Sequence, residues 1–385
     1  RSTTFPYTTL FRSVGWLSFC GWINAIIPVL IVPYYSVIGG WVVKYLFEYI
    51  RGNGSKLAED GYFSGFISNG GATEICFVIF CMFTLVIIYA GVQNGIERVS
   101  KIMMPILIVL SVIIAIYSVT RPGAIEGVKY FLVPNVKNFS WMTVVAAMGQ
   151  MFYSLSIAMG ILVTFGSYMR KDTSIEDSTR NVEIFDTAIA MMAGLMIIPA
   201  VFAFSGGDPD TLQAGPSLMF ITIPKVFANM GFGTAVGILF FVLVLFAAVT
   251  SSIALTESAV STFEDELGWG RKKATVLTGV IMIALGTLSC LGYGPLDFVK
   301  IIGMQFLDFF DFLTNSVMMP IAALMTSLLV SRVIGVDKIE EEIRHGESAF
   351  RRKKIFVVMI KYLCPIFALI ILASSVANAF GWIAM

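Results

Sequence analysis

Residues 141–168 read WMTVVAAMGQMFYSLSIAMGILVTFGSY, and this stretch decides the fold. It is long and apolar enough to cross a hydrocarbon core about 30 Å thick, which takes roughly 20 residues of helix. Its centre is not that of an ordinary lipid-facing helix: Gly149-Gln150, then Ser154-Leu155-Ser156, then Gly160. One reading is a helix that unwinds at mid-membrane depth, where irregular backbone is tolerated only when it lines a cavity. Broken helices of that kind form substrate and ion sites in secondary transporters. The other reading is a straight helix whose small residues let a neighbour approach closely.

Eight further stretches are of membrane-crossing length. Together the nine lie near 16–47, 75–92, 103–120, 141–168, 183–206, 235–263, 273–293, 304–331 and 356–380. Of the 385 residues, 57% are hydrophobic and 13% charged, about half the roughly 25% charge of soluble domains. The chain is therefore a polytopic membrane protein. Its 26 basic and 25 acidic residues leave no excess for nucleic acid. A single histidine, His345, argues against a histidine-based metal centre or a Ser-His-Asp triad. The five cysteines sit in or beside apolar spans and suggest no disulfide framework.

Loops after the second, fourth, sixth and eighth spans hold 15 Lys and Arg, those on the other side 8. The positive-inside rule places the first group in the cytoplasm. The last cytoplasmic loop carries a segment, Lys338–Arg344, with the look of a short solvated helix. Two outer loops are long. Residues 51–73 are Gly-rich and polar; residues 206–234 hold enough Phe, Ile and Met to pack into the protein as a lid.

Two more spans carry unusual polar groups. Residues 246–254 read FAAVTSSIA, so Thr250, Ser251 and Ser252 are consecutive hydroxyls at mid-membrane depth. They suit Na⁺ as hard oxygen ligands; equally, such residues bond the carbonyl four positions back and merely bend a helix. Glu257, two turns further, is a functional candidate because it is an acid inside a span. Asp186 interrupts an apolar run and needs a cation or donors to offset its burial. Asp308 and Asp311 fall near the outer start of the eighth span.

With these motifs stand Val32-Pro33-Tyr34-Tyr35, GVQNGIERVSKIMMP at 91–105, Ser167–Asp172 (SYMRKD) and Glu264-Asp265-Glu266-Leu267. In their order and spacing the chain resembles the neurotransmitter:sodium symporter family, in particular its bacterial amino-acid transporters. The resemblance implies an all-α inverted-repeat bundle with the LeuT-like fold, not an enzyme. The nine spans then match the family's third to eleventh helices, with the first two missing. Residues 1–13, RSTTFPYTTLFRS, resemble a translated sequencing adapter and are expected to be non-native, leaving 14–385 as the transporter domain. On that expectation the chain shows no uptake by itself.

The resemblance also implies roles. Tyr35, Tyr153, Ser154, Ser156, Met159, Ser251 and Leu255 would meet an amino acid, with Met159 and Leu255 pointing to an apolar one. Ser154 and Asp186 would serve one Na⁺ site; Ala247, Thr250 and Ser251 a second. Tyr35, Tyr153 and Asp311 would form the outer gate. Asp186 stands where the family usually has asparagine, so it would also supply balancing charge and make chloride dispensable. The implied partners are a small amino acid and the lipid bilayer, in an inner (cytoplasmic) bacterial membrane. The alternative function is a non-transporting amino-acid sensor or scaffold on the same fold.

Overall fold

The computed structural model describes residues 18–208, 212, 214–346 and 349–382; the proposed non-native segment 1–13 lies outside the described residues. Within them the long elements are all helices. They are α1 (Ser18–Ile50), α2 (Gly70–Tyr89), α3 (Arg98–Val119), α4 (Ala124–Leu132), α5 (Trp141–Ser154), α6 (Ile161–Tyr168) and α7 (Ile175–Ser205). There follow α8 (Ile223–Ala228), α9 (Gly233–Leu267), α10 (Arg271–Leu291), α11 (Phe306–Asp311), α12 (Met319–Leu328), α13 (Val336–Gly346), α14 (Lys353–Val358) and α15 (Cys364–Ala379).

Eight continuous helical runs among the described residues are long and apolar enough to cross a membrane. They correspond to eight of the nine stretches, extended by up to eleven residues where charged turns continue the helix past the apolar run, as at Val92–Val119. The ninth stretch, 141–168, is not one helix. It divides into α5 and α6, separated by six residues outside helix, so the straight-helix alternative is overturned. One assignment changes: part of the outer connection 121–140 forms the amphipathic helix α4, whose Gly127 lies against α7.

Burial ranks the helices. In the span Phe19–Ile50, 67% of the apolar window is buried inside the protein, against 11% for Lys353–Ala379. α1 is therefore the central post, and α14–α15 sits at the rim. Ile27, Ile31, Val37, Tyr45 and Tyr49 of α1 are buried in the main core. Such a post must lose water on every side, which is why polar residues are scarce along it. α9, α2 and α10 surround it. Close approach is bought with glycine: a Cβ on Gly40 would lie 2.7 Å from the backbone nitrogen of Phe77 in α2.

The outer loop 206–234 does enter the protein, in its segment from Gly215 to Ala228. Phe220, Ile223, Val226 and Phe227 are buried, and the Tyr45 hydroxyl donates to the Phe220 carbonyl at 2.8 Å. Phe220 stacks on Phe63 of the other outer loop at 5.2 Å and meets Trp41 edge-on at 5.7 Å. Outside, Lys225 Nζ lies 2.5 Å from Asp60 Oδ1, joining the two outer loops. On the opposite side α13 bears out the short helix expected at 338–344.

Two predictions follow from this packing. Gly40→Ala sets a methyl against backbone that cannot yield, and such overpacking costs about 1–3 kcal/mol. Its thermal unfolding midpoint in detergent should fall, while Gly65→Ala, where a Cβ meets nothing within 4 Å, should leave it unchanged. The Lys225 ammonium holds the Asp60 carboxyl below its usual range. A lowered carboxylate pKa means the clamp is intact above about pH 4 and lost as pH falls through the folded-state value. Hydrogen exchange of residues 215–228 should therefore quicken only at pH well under 4, and Asp60→Asn should abolish that pH dependence.

Candidate functional site

The break between α5 and α6 has a definite geometry. Ser156, Ala158 and Gly160 have φ of 54°, 59° and 76°. Two of these three left-handed residues carry a Cβ, and each such conformation costs on the order of 1–3 kcal/mol unless its surroundings impose it. The amides of Leu155, Ser156 and Ile157 turn back onto carbonyls of Met151, Tyr153 and Phe152. They thereby satisfy the end of α5, and Gly160 caps α6 by accepting from Thr164. Gly160 alone takes this conformation without a Cβ penalty, and the protein interior removes the interruption from lipid.

At the last residue of α5 the break faces α7. The Ser154 hydroxyl donates to Asp186 Oδ1 at 2.6 Å. Two residues 32 positions apart, each singled out from sequence, therefore meet. Asp186 is half-buried rather than sealed in, so a carboxylate there keeps access to a small cation. A carboxylate and a hydroxyl are hard oxygen donors of the kind alkali and alkaline-earth ions take.

A second oxygen set lies on α9. The Thr250 hydroxyl donates back to the carbonyls of Phe246 and Ala247, each at 3.0 Å. The local back-bonding expected of such a hydroxyl is thus present. The hydroxyl makes the local bond and keeps its own oxygen lone pairs as acceptors, while the Ala247 carbonyl takes this hydroxyl besides its helical amide. Ser251 faces Tyr35 of α1 through their hydroxyls. Pro33, inside α1, denies the carbonyl four residues before it an amide partner, one turn before the Tyr34-Tyr35 pair.

Neighbouring tyrosines then point apart. Tyr34, which sequence reasoning passed over, lies with its hydroxyl 3.2 Å from Thr314 Oγ1. Asn315 donates to Asp311 at 2.5 Å and lies 3.5 Å from the Tyr34 hydroxyl. Asp311 ends α11 and the π-helical turn Phe312–Met318 follows, a wide turn of the sort found at functional sites. A cavity of about 350 Å³ opens here, lined among others by Gln150, Tyr153, Asp311, Asn315 and Ser375. Tyr153 and Asp311, both expected at a gate, thus share one cavity. Met159 and Leu255 are buried in the same apolar core cluster. Among the described residues no three His, Cys, Asp or Glu side chains gather in a way that could hold a metal.

Glu257 acquires the partner that sequence could not name. It is fully buried in α9, and Arg271, at the cytoplasmic start of α10, grips it with two bonds of 3.0 and 2.5 Å. The Tyr168 hydroxyl, at the end of α6, donates to the same carboxylate at 2.7 Å. Arg271 also donates to the carbonyl of Ile88 in α2 at 2.9 Å. Four helices are joined at the cytoplasmic side, one of them the lower half of the broken helix. The signal was present, an acid inside a span and a basic residue just past its end. The fold brings the two together only because the chain reverses at 268–270.

Removing one partner of a buried ion pair leaves an uncompensated charge and costs about 3–5 kcal/mol. Arg271→Gln should therefore lower the unfolding midpoint sharply. The double variant Glu257→Gln with Arg271→Gln should recover most of it, because amides can bond without charge. If the double variant is no more stable than the single one, the pair is not the bond that matters.

Comparison with known proteins agrees with this geometry. Residues 62–381 match the model of the sodium:neurotransmitter symporter family. A sodium-dependent transporter of Bacillus subtilis, YhdH, uncharacterised, is 36% identical over 341 residues, which is 88% of this chain and 74% of the relative. An uncharacterised sodium-dependent transporter of Haemophilus influenzae is 32% identical over 354 residues, 90% of this chain and 76% of that one. The crystal structure of MhsT in complex with L-phenylalanine superposes with a TM-score of 0.83 at 34% identity, covering 96% of this chain and 83% of that chain. The broken helix, the paired oxygen sets and the ion-paired cytoplasmic end thus lie in a LeuT-like helical membrane fold, and the chain belongs to the sodium:neurotransmitter symporter family of transporters.

Proposed function

We propose that this protein is a symporter that moves an amino acid with an apolar side chain together with Na⁺ by alternating access. The observation that carries the reading is the 2.6 Å bond between Ser154 and Asp186. It sets a hydroxyl and a carboxylate beside an unwound backbone, which is what a monovalent cation and a zwitterion both require. Ser154 and Asp186 would hold one Na⁺; the Ala247 carbonyl with Thr250 and Ser251 would hold the second. Tyr35 would donate to the substrate carboxylate, and Ser156 would face its amino end. Tyr153 would close above it, and Met159 and Leu255 would wall its side chain. MhsT, a relative by structure, was crystallised with L-phenylalanine, an apolar amino acid.

In this mechanism the outer path runs through the cavity at Tyr153 and Asp311, and the inner path is shut by Glu257, Arg271 and Tyr168. Tyr168 belongs to α6, so a swing of α6 about residues 155–160 withdraws one leg of the inner lock. Each positive charge carried inward gains about 2.3 kcal/mol per 100 mV of membrane potential. Asp186 would also balance the bound charge, so chloride would not be needed.

The test uses the full-length gene product in proteoliposomes in an inner-membrane lipid composition. Uptake of L-phenylalanine should require an inward Na⁺ gradient and should persist when gluconate replaces chloride. Asp186→Asn should raise the Na⁺ concentration for half-maximal uptake at least tenfold, about 1.4 kcal/mol, or make uptake depend on chloride. A large loss of wild-type uptake in gluconate would sink the chloride assignment. Na⁺-dependent binding with no uptake would sink transport itself.

A further inference from the structure

Four consecutive basic residues, Arg351, Arg352, Lys353 and Lys354, lead into α14 at the cytoplasmic side. They are not equivalent. The Arg352 guanidinium lies 3.2 Å from Glu183 and 3.7 Å from Glu176. Lys353 bonds Glu340. Those two charges are spent inside the protein. Arg351 is held only through its backbone amide, by Glu176 at 3.1 Å. Lys354 is exposed and has no carboxylate partner among the described residues.

Lys361 is the informative residue. It lies inside the span Lys353–Ala379, in the π-helical turn Met359–Leu363, and it is exposed. It too has no carboxylate partner among the described residues. This helix is the rim of the bundle, with 11% of its apolar window buried, and its exposed neighbours are Ile355, Val358, Tyr362 and Ile366. Lys361 therefore faces lipid, where a lone charge is costly and is relieved by reaching back to the headgroups. The 27-residue helix is about 40 Å long at 1.5 Å per residue. Centred on a core of about 30 Å, it overhangs by about 5 Å at each end. Lys354 then sits at headgroup level. Lys361, about 10 Å further along, sits about 7 Å inside the hydrocarbon edge, about the length of its own side chain. Seven residues apart across the wider π-helical turn, the two lie within about a quarter-turn of each other round the helix.

We propose that Lys354 and Lys361, with Arg351 beside them, form a binding site for an anionic phospholipid of the cytoplasmic leaflet. The two ammonium groups would converge on the headgroup phosphate, and Ile355, Val358, Tyr362 and Ile366 would carry the acyl chains. Charge selects this occupant. Every described charge exposed along this helix is positive, so a second copy docked face to face would set lysine against lysine. Basic clusters just cytoplasmic of a span attract anionic lipid for the same reason.

The full-length protein, purified and exchanged into nanodiscs of phosphatidylglycerol and phosphatidylcholine in equal parts, would be released into native mass spectrometry. The wild type should retain phosphatidylglycerol in preference to phosphatidylcholine. The variant K354Q/K361Q should retain at least fivefold less phosphatidylglycerol with phosphatidylcholine unchanged. The outer-loop variant K56Q should match wild type. Unchanged thermal unfolding of K354Q/K361Q in phosphatidylcholine certifies the fold; if it unfolds early, the conservative pair K354R/K361R, retaining the lipid, is read instead. Equal retention of the two lipids, or undiminished phosphatidylglycerol in K354Q/K361Q or its loss in K354R/K361R, overturns the proposal. Displacement by inorganic phosphate also overturns it, as does a dimer lost on the double substitution.

Discussion

Hydrocarbon offers no hydrogen bonds, so an irregular turn of backbone inside a membrane must find its partners in the protein. The rest of this structure depends on how that constraint is met at residues 155–160. The chain leaves the helix for six residues and returns, with its amides turned back onto α5 and Gly160 capping α6. Around this break the protein sets its densest post, α1, on one side and the acid of α7 on another. The inner ion pair then holds the lower half of the broken helix through Tyr168.

The inner lock and the outer cavity are built from different chemistry, and the difference follows from depth. At the cytoplasmic end a fully buried glutamate is matched by a bidentate arginine and a phenol. Such a lock has geometric specificity and opens as a unit. At the outer side the groups are an amide, two hydroxyls and one acid around an open cavity. Asp311 and Asn315 line the cavity, so water can share their bond, while the contact of Tyr34 with Thr314 behind them is buried.

Much of this was legible before any coordinates. Apolar stretches gave the spans, because hydrocarbon thickness sets their length and few charges fit within them. Small and hydroxylated residues at 149–160 marked the break. The pairing of Ser154 with Asp186 was reachable only through the family resemblance, since nothing local links residues 32 apart. α4 was hidden because Arg121, Lys129 and Lys137 make 121–140 read as a loop, whereas its buried side is two small residues, Ala124 and Gly127. Arg271 was counted among loop charges. A count says which side of the membrane a guanidinium occupies, but not that it turns inward to a carboxylate 14 residues back. Tyr34 was overshadowed by Tyr35 because a motif does not say which way each ring faces. That depends on how each ring meets the helices packed around α1.

The left-handed residues of the break carry one more meaning. A glycine-only interruption would be a slack joint, free to take many angles and unable to pass on a push. Here serine and alanine hold two of the three left-handed positions, against their own preference. The joint is stiff, loaded like a bent leaf spring between two rigid rods. A stiff joint delivers displacement at one end as displacement at the other, so a cation held at Ser154, as proposed above, would be felt at Tyr168, fourteen residues along the same broken rod.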